Sequence, residues 1–279
     1  VKTKEQITAL PTRNVQSVAA TTAGIYQADE GSSINIRGSR SSSTDYYVDG
    51  IKITGNINDI LPQDAIDQMT VITGGLPAKF GDATGGIVSV TTRGISSLTK
   101  AGIEVISSNL TDPYNYNLIS FNASGPILRK KDESKTPIIG YLITGEYNFA
   151  KDWDPSATSI PVLNQDYQDN LNLNPLEFEG IPNYLDFQTV SSNNMSEYTT
   201  AENWELQDVK PNSNRDEIKL QGKLDFRLGK NINFTVGGSF SNMQRMSPSW
   251  RRSLFNNDYN YEQIFNNLNA FARVQHKLS

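Results

Sequence analysis

The sequence predicts an α+β domain in residues 1–95, followed in residues 96–279 by antiparallel transmembrane β-barrel strands that form an incomplete barrel. Three observations lead to this fold class. Residues 96–150 and 215–279 contain strands of about 9–14 residues, the length that a tilted membrane-spanning strand needs. Apolar and polar residues alternate along these strands. The connections between them alternate in length.

The composition excludes several other classes of protein. The 279 residues contain no Cys and one His, which removes disulfides, thiolate catalysis and Cys-based zinc sites and argues against multi-His metal sites. No run approaches ~18 consecutive apolar residues, so a helical membrane protein is not expected. The formal net charge of −5 argues against nucleic acid as a partner, because no basic stripe is available to replace phosphate counterions.

Short, mixed elements are predicted in the N-terminal zone. The pattern indicates helical turns at residues 3–10 and 15–23 and short strands at residues 33–37, 46–49, 69–73 and 87–92. Asp49-Gly50 lies between two β-like runs and is a strong hairpin signal. A phosphate-binding loop would end in Gly-Lys-Ser/Thr and open a helix. Gly85-Gly86 is followed instead by a β-branched run, so we interpret it as a tight turn before a strand. We therefore expect no cofactor.

The longer strands show their alternation position by position. In residues 218–228 one face is apolar, and the other presents Lys219, Gln221, Lys223, Asp225 and Arg227. Residues 139–149 and 232–240 repeat the pattern, residues 268–278 show it more weakly, and residues 102–125 are mixed. A soluble antiparallel sandwich alternates in the same way. Its strands, however, usually have only ~5–6 residues.

The predicted connections are consistent with a barrel in an outer membrane. They fall at residues 111–114, 126–137, 151–214, 229–230 and 245–264, so the two longest share one side of the membrane. Barrel diameter grows with strand number, and six strands cannot enclose a separate domain of ~95 residues. We therefore expect the polypeptide to continue beyond Ser279.

Five short motifs follow one another in the N-terminal zone: INIRG at 34–38, YYVDGI at 46–51, IDQMTVITGG at 66–75, KFG at 79–81 and GGIVSVTT at 85–92. In this order and spacing they closely resemble the plug domain of TonB-dependent outer-membrane receptors, over roughly residues 5–95. Residues 96–279 resemble the first strands of the barrel in that family. Residues 46–50 and 10–13 are most similar to receptors of Bacteroidota.

The resemblance implies a plug inside a barrel of about 22 strands in the bacterial outer membrane. Such a receptor imports a ligand when the inner-membrane protein TonB pulls on the plug, and it is not an enzyme. The implied partners are TonB, outer-membrane lipid and, in the glycan- and peptide-importing branch, a surface lipoprotein. Residues 1–10 do not resemble the segment that TonB binds, so we expect this segment either to lie upstream or to be absent.

Two other functions are compatible with the sequence. A plugged barrel without a TonB contact would act as a structural or partner-docking component of an envelope complex, without transport. A secreted carbohydrate-active enzyme on a soluble β scaffold is the third interpretation. The identity of an imported ligand is not specified by the sequence.

Three arginines of the N-terminal zone are candidate site residues. Arg37 of the INIRG motif and Arg93 at the end of the last plug strand are predicted plug–barrel contacts, because buried ion pairs hold two surfaces specifically and still break. The alternative is that both are solvated arginines at strand ends. Arg40 is the only charge in the Ser-rich residues 38–44 and is a candidate ligand contact, unless that segment is a solvated turn.

The connection at residues 151–214 combines acidic and aromatic side chains. It holds eleven acidic and two basic residues, a net charge of −9. Trp and Tyr faces with carboxylates bind sugars, cations or partner proteins. The alternative is an acidic cover exposed to solvent. The candidate ligand or partner contacts in this connection are Trp153, Tyr167, Tyr184 and Trp204.

Overall fold

The computed structural model describes residues 1–77, 80, 83–131, 136–179, 191–229, 231–249, 251–252 and 254–277. These residues form a five-stranded sheet near the N-terminus and a six-stranded sheet after it. Among the described helices, none has the length and apolar character needed to cross a bilayer.

The N-terminal domain contains seven strands and three short helices in its described residues. They are β1 (Lys2–Thr3), α1 (Lys4–Thr8), α2 (Val15–Ala20), β2 (Ile25–Gln27), β3 (Ile34–Ile36), β4 (Thr44–Val48), β5 (Ile51–Lys52), α3 (Ile57–Ile60), β6 (Ile66–Ile72) and β7 (Gly86–Thr92). The main sheet has the order β1-β6-β7-β4-β5, and only β4 and β7 pair in parallel. Strands β2 and β3 form a separate antiparallel pair.

Apolar side chains from helices and sheet form the core of this domain. In α2, Asn14 is the N-cap and its side chain accepts a hydrogen bond from Ser17 N, while Val15, Val18 and Ala19 are buried. The helix ends at Ala20, three residues earlier than predicted, because the Thr21 hydroxyl donates to Val18 O and competes with the next helical turn. The helices pack on buried strand residues, notably Ile34, Ile36, Ile66, Met69, Val88 and Val90.

The rest of the described chain forms long strands and one elaborate connection. The elements are β8 (Lys100–Ser107), β9 (Asn117–Arg129), β10 (Pro137–Ala150), β11 (Ile160–Leu163), α4 (Gln165–Leu173), β12 (Leu176–Glu179), β13 (Ser191–Asn194), β14 (Trp204–Gln207), β15 (Arg215–Leu228), β16 (Ile232–Ser247) and β17 (Tyr261–His276). The six-stranded sheet has the order β17-β16-β15-β10-β9-β8, with every neighbouring pair antiparallel.

Strands β16 and β17 are longer than the alternation predicted. Each has 16 residues and continues past Phe240 in β16 and before Leu268 in β17. The added residues mix polar side chains with Met243 in β16 and with Ile264 and Phe265 in β17, so neither face is uniformly polar or apolar and a test of alternation does not detect them. They are paired by the backbone ladder, and Asn242 Nδ2 donates to Asn266 Oδ1 across the strands at 2.7 Å.

The long connection, residues 151–214, is folded in its described part. Strands β11 and β14 pair, as do β12 and β13, and α4 follows the N-cap Asn164. Buried Asp152 fixes the base of the connection, because its carboxylate accepts hydrogen bonds from Ser213 Oγ at 2.8 Å and Lys210 N at 2.9 Å.

The six-stranded sheet has a polar face that is buried and an apolar face that is exposed. On the buried inner face lie Glu146, Glu217, Lys219, Gln221 and Lys223, and Glu217 is 2% exposed. On the exposed outer face lie Ile143, Ile218, Leu220, Leu224, Ile232, Val236 and Phe240. A soluble sandwich buries the opposite face, so this arrangement excludes it.

The N-terminal domain covers the inner face. Helix α3 packs against β16, and a 3₁₀ turn at Gln63–Ala65 packs against β9 and β10. The inner-face residues Glu146, Glu217, Lys219 and Lys223 are therefore buried between the two sheets. Asp225 is half-buried, and Arg227, nearer the end of the strand, is exposed.

The exposed face generates a test of lipid contact. Leu220 lies near the middle of β15 on the outer face, so Leu220→Arg should destabilise the barrel by ~2–4 kcal/mol if this depth is the bilayer midplane. Urea unfolding of the full-length protein in lipid vesicles measures the change. Leu220→Val is the matched control and should cost less than half as much. Equal effects of the two variants would contradict lipid contact at this face.

Candidate functional site

The interface between the N-terminal domain and the six-stranded sheet contains a network of opposite charges. Arg13, just before α2, hydrogen-bonds Glu104 of β8 and lies 3.2 Å from Glu146 of β10 and 3.8 Å from Asp64. Burial by itself lowers the pKa of Arg13, but Glu146, Glu104 and Asp64 outweigh it and raise the pKa. One guanidinium therefore joins the N-terminal domain to two strands.

The network continues along the inner face of the sheet. Lys219 Nζ lies 3.2 Å from Glu146 Oε1 and 3.4 Å from Glu217 Oε1, and Arg215 donates to Glu217 at 2.9 Å. Charges of opposite sign alternate, so each buried carboxylate has at least one cationic neighbour. Ser120 Oγ of β9 donates to Asp64 Oδ2 at 2.7 Å, which adds a hydrogen bond to the same attachment.

A second attachment holds the turn between β4 and β5. Asp49 has a φ of +51°, and its carboxylate accepts from Thr92 N at 2.8 Å and from Thr92 Oγ1 at 2.5 Å. Lys223 Nζ of β15 donates to Thr92 Oγ1 at 2.6 Å and lies 3.4 Å from Asp49 Oδ2. Arg273 of β17 donates to Asp49 O at 2.8 Å. Two cations from the sheet thus bind one turn of the N-terminal domain.

The two arginines predicted to join the domains have different surroundings. Arg93 is half-buried, and its guanidinium donates to Asn122 Oδ1 of β9 at 2.9 Å. Arg37 is exposed and has a φ of +49°. Its guanidinium lies against Gly74, and its backbone N–H donates to Gly24 O at 2.8 Å. A contact of Arg37 with the barrel stays a prediction.

Arg40 is exposed and precedes the 3₁₀ turn Ser41–Ser43, where its carbonyl accepts from Ser43 N at 2.9 Å. This position is compatible with either a ligand contact or a solvated turn.

The described aromatic candidates of the long connection make different contacts. Trp153 Nε1 donates to Met246 O at 2.9 Å. The hydroxyl of Tyr167 donates to Met195 O at 3.3 Å, and the Trp204 ring meets Phe255 edge-on with centroids 5.4 Å apart. Tyr184 lies outside the described residues. Each described candidate is thus held by a contact of its own.

A cavity of about 550 Å³ lies where the long connection meets the N-terminal domain, and we call it the loop-side cavity. Its lining includes Asn14, Asn58, Asp59, Trp153, Asp154, Arg215, Met243, Arg245 and Phe265. The Arg245 guanidinium lies 4.8 Å from the Trp153 ring centroid and 5.4 Å from that of Phe265. The cavity thus offers a cation, aromatic faces and amides to a ligand.

The described residues contain no group of three or more His, Cys, Asp or Glu side chains placed to hold a metal ion.

Sequence reasoning did not single out Arg13 or the attachment of Asp49. Arg13 was included only as part of residues 10–13, which resemble a family segment, and Asp49 was interpreted only as a hairpin residue. The alternation along β10 and β15 did indicate that Glu146, Lys219 and Lys223 face inward. Their partners lie 73 to 174 residues away in the chain, and a single sequence contains no signal for such pairs.

The Arg13 network predicts a weaker attachment after truncation. Arg13→Ala should lower the free energy of attachment by ~2 kcal/mol, below the ~3–5 typical of a buried pair, because the Arg13 side chain is 23% exposed. Arg13→Lys should restore only part of it, since an ammonium lacks the fork that bridges two carboxylates. Hydrogen exchange of the N-terminal domain measures the change. Arg40→Ala is the exposed control, and an equal loss of protection in both alanine variants would contradict the role of Arg13.

Asp59 predicts a pH dependence. Burial, with a further contribution from Glu217, raises the pKa of Asp59. The folded state therefore keeps this proton to higher pH than the unfolded state, so stability should fall from about pH 4, the ordinary aspartate value, to the raised folded pKa. Asp59→Asn should abolish this fall in thermal unfolding at a series of pH values. Asp154→Asn, at an exposed position on the same cavity, should retain it, and a fall of the same size in Asp59→Asn would contradict the assignment.

Comparison with known sequences agrees with this architecture. Residues 1–87 match the family model described as the TonB-dependent Receptor Plug Domain. The probable TonB-dependent siderophore receptor PirA of Acinetobacter baumannii is 26% identical over 175 residues, which cover 53% of this chain and 22% of that protein. An origin in Bacteroidota stays a prediction.

Solved structures of outer-membrane receptors share the fold. The ferric enterobactin receptor PfeA of Pseudomonas aeruginosa (mutant G324V) superposes with a TM-score of 0.60 and 16% identity, over 99% of this chain and 38% of that one. The siderophore receptor PirA of A. baumannii superposes with a TM-score of 0.55 and 20% identity, over 88% of this chain and 31% of that one. The outer-membrane transporter YddB of Escherichia coli superposes with a TM-score of 0.59 and 12% identity, over 99% of this chain and 36% of that one.

The chain thus spans well under half the length of these proteins. It contains the matched plug sequence, a five-stranded plug sheet, and a six-stranded sheet whose apolar face points outward. Residues 1–87 are thus a plug domain of the TonB-dependent receptor type, and the described strands after it share the fold of the barrel strands in solved receptors of the bacterial outer membrane.

Proposed function

We propose that this receptor imports a ligand across the outer membrane, with the plug as the gate and without bond-making chemistry. The observation that supports this best is the way in which the plug is attached. The plug has its own apolar core, whereas its contacts with the barrel include the ion pairs and hydrogen bonds of Arg13, Asp49 and Arg93. Such contacts can break while the core of the plug stays folded.

The attachment residues form the first part of the proposal. Arg93 binds β9 through Asn122, and Arg37 is proposed as a further contact with the barrel. Arg13 and Asp49 provide two more attachments of the plug to the wall. Arg13 lies close to the carboxylates of Glu104 and Glu146, and Asp49 contacts Lys223 and Arg273. Removal of one partner from a buried pair leaves an uncompensated charge at substantial cost, so the resting plug is held closed.

The ligand class is proposed from the relatives. PfeA is named as a ferric enterobactin receptor and PirA as a siderophore receptor, so a ferric siderophore is the first ligand class to test. Arg40, Trp153, Tyr167, Tyr184 and Trp204 are the proposed ligand or partner contacts. Trp153 has the strongest support, because it lines the loop-side cavity together with Arg245.

TonB is the proposed energy-transducing partner. Outer-membrane lipid is the proposed partner of the exposed apolar face, and a surface lipoprotein stays a prediction from the family resemblance.

Uptake of radioactive iron as ferric enterobactin tests this function in cells that lack their own siderophore receptors and express the full-length receptor. A panel of other ferric siderophores extends the test. We expect iron uptake for at least one member in cells with TonB, and surface binding without uptake in cells lacking TonB. Trp153→Ala should weaken binding, whereas Leu206→Ala, an exposed residue of the same connection, should not. Correct insertion with no binding and no uptake across the panel would contradict the proposal and favour a structural role.

A further inference from the structure

A cavity of about 220 Å³ lies between the plug and the wall that the six-stranded sheet forms, and we call it the plug–wall cavity. The side chains that the plug contributes to it are apolar except for Lys52, whose ammonium lies 2.9 Å from the Asp45 carboxylate. The wall contributes amides, a hydroxyl and an aromatic ring. The lining includes Val48, Ile53 and Leu61 of the plug and Gln221, Ser239 and Phe271 of the wall.

Contacts between plug and wall bound this cavity at two points along β17. Residues Asn269–Phe271 line it, and the next inward-facing residue on each side touches the plug. At one end the Asn267 amide lies against Gly55. At the other end the guanidinium of Arg273 donates to Asp49 O at 2.8 Å. The plug–wall cavity is thus a compartment between two contacts of the plug with the same strand.

The plug–wall cavity contains a buried hydrogen-bond acceptor. Gln221 of β15 is 4% exposed, and its Oε1 accepts no hydrogen bond within the part of the chain that the structure describes. Two neighbouring polar groups of the wall are directed at each other, because Asn269 Nδ2 donates to Ser239 Oγ at 3.4 Å. An unpaired buried acceptor costs the free energy of its desolvation. A molecule that donates a hydrogen bond to Gln221 recovers that free energy.

The volume and the lining of the plug–wall cavity define the chemical class of its occupant. An apolar cavity of ~150 Å³ stays dry and holds one benzene molecule, so about 220 Å³ has room for one ring with a substituent. Val48, Ile53 and Leu61 favour a ring over water at the plug side, since a buried water needs about two to four polar partners. At the wall side, Gln221 calls for a hydrogen-bond donor on that ring.

We propose that the plug–wall cavity binds a small amphiphilic molecule, a single ring that carries a hydroxyl, and that this hydroxyl donates to Gln221 Oε1. The ring contacts Val48 and Leu61 of the plug and Phe271 of the wall at the same time. Because the cavity exists only when the plug is docked, the bound molecule stabilises the docked plug by mass action. This site goes beyond the import function proposed above and does not depend on it.

Protection of a single cysteine tests the site. The 279 residues contain no Cys, so Ser239→Cys places one thiol on the cavity, and any cysteine elsewhere in the full-length receptor is first replaced by serine. The receptor in lipid vesicles is treated with a small methanethiosulfonate reagent in the presence of phenol. At a phenol concentration of ~10 Kd, labelling should slow by about tenfold, since ~1 site in 11 is then free.

The hydrogen bond is tested with fluorobenzene, which resembles phenol in size but has no hydroxyl. Phenol should protect Ser239→Cys at about tenfold lower concentration than fluorobenzene does, the effect of about one net hydrogen bond. Gln221→Met keeps the length of the side chain and removes the acceptor, so the two compounds should then protect equally. A preference for phenol that is absent from the parent, or that persists in Gln221→Met, would overturn the assignment of Gln221.

Two further measurements make the result specific. Ser32→Cys lies on the loop-side cavity and should be labelled at the same rate with and without phenol. Helix α3 packs against β16, so bound phenol should slow amide hydrogen exchange in α3. Unchanged labelling of Ser239→Cys in phenol would overturn the inference, because water alone would then account for the cavity. Equal protection of Ser32→Cys would overturn it as well, because phenol would then act on the receptor as a whole.

Discussion

The structure depends on the pairing of charges that are buried between plug and wall. An isolated buried charge is very unfavourable, and pairing offsets the cost only when the geometry is good and the remaining polar atoms are satisfied. The inner face of the sheet presents Glu146, Glu217, Lys219 and Lys223, so a well-fitting plug must supply complementary groups. Arg13 and Asp49 do so at two separate points. The same requirement fixes the register between the two domains, since a displaced plug leaves these charges unpaired.

Apolar contacts stabilise the plug itself, whereas charged contacts join the plug to the wall. Burial of Ile7, Ile34, Ile66 and Met69 stabilises the plug as a separate unit. The wall contributes apolar side chains mainly on its other face, where they contribute nothing to plug attachment. The described contacts of the plug with the wall thus include directional polar contacts, whereas the plug itself is held together by an apolar core.

The sequence was sufficient for those features that depend on local pattern. Alternation along β10, β15 and the first part of β16 predicted which residues face inward, and the long connection begins and ends where it was expected. The ends of β16 and β17 were missed because Asn242 and Asn266 are polar on a strand held by backbone pairing. Helix α3 was missed because four residues are too few for a helical period to be seen.

The candidate site was less predictable for a physical reason. The role of Asp49 depends on Arg273, 224 residues away in the chain, and that of Arg13 on Glu146, 133 residues away. Only the closed fold brings these groups together. Arg93 was selected from its position at a strand end and does contact β9, whereas the described contacts of Arg37 are with the plug itself.

The extra length of β16 and β17 has a mechanical consequence for ligand capture. About 9–11 residues of a strand cross the hydrocarbon region, and each of these strands has 16. The surplus keeps the two strands paired as far as Ser247 and Tyr261, beyond the length that the hydrocarbon region requires. A solute arriving from outside would thus meet a paired two-stranded rim that stands clear of the lipid surface.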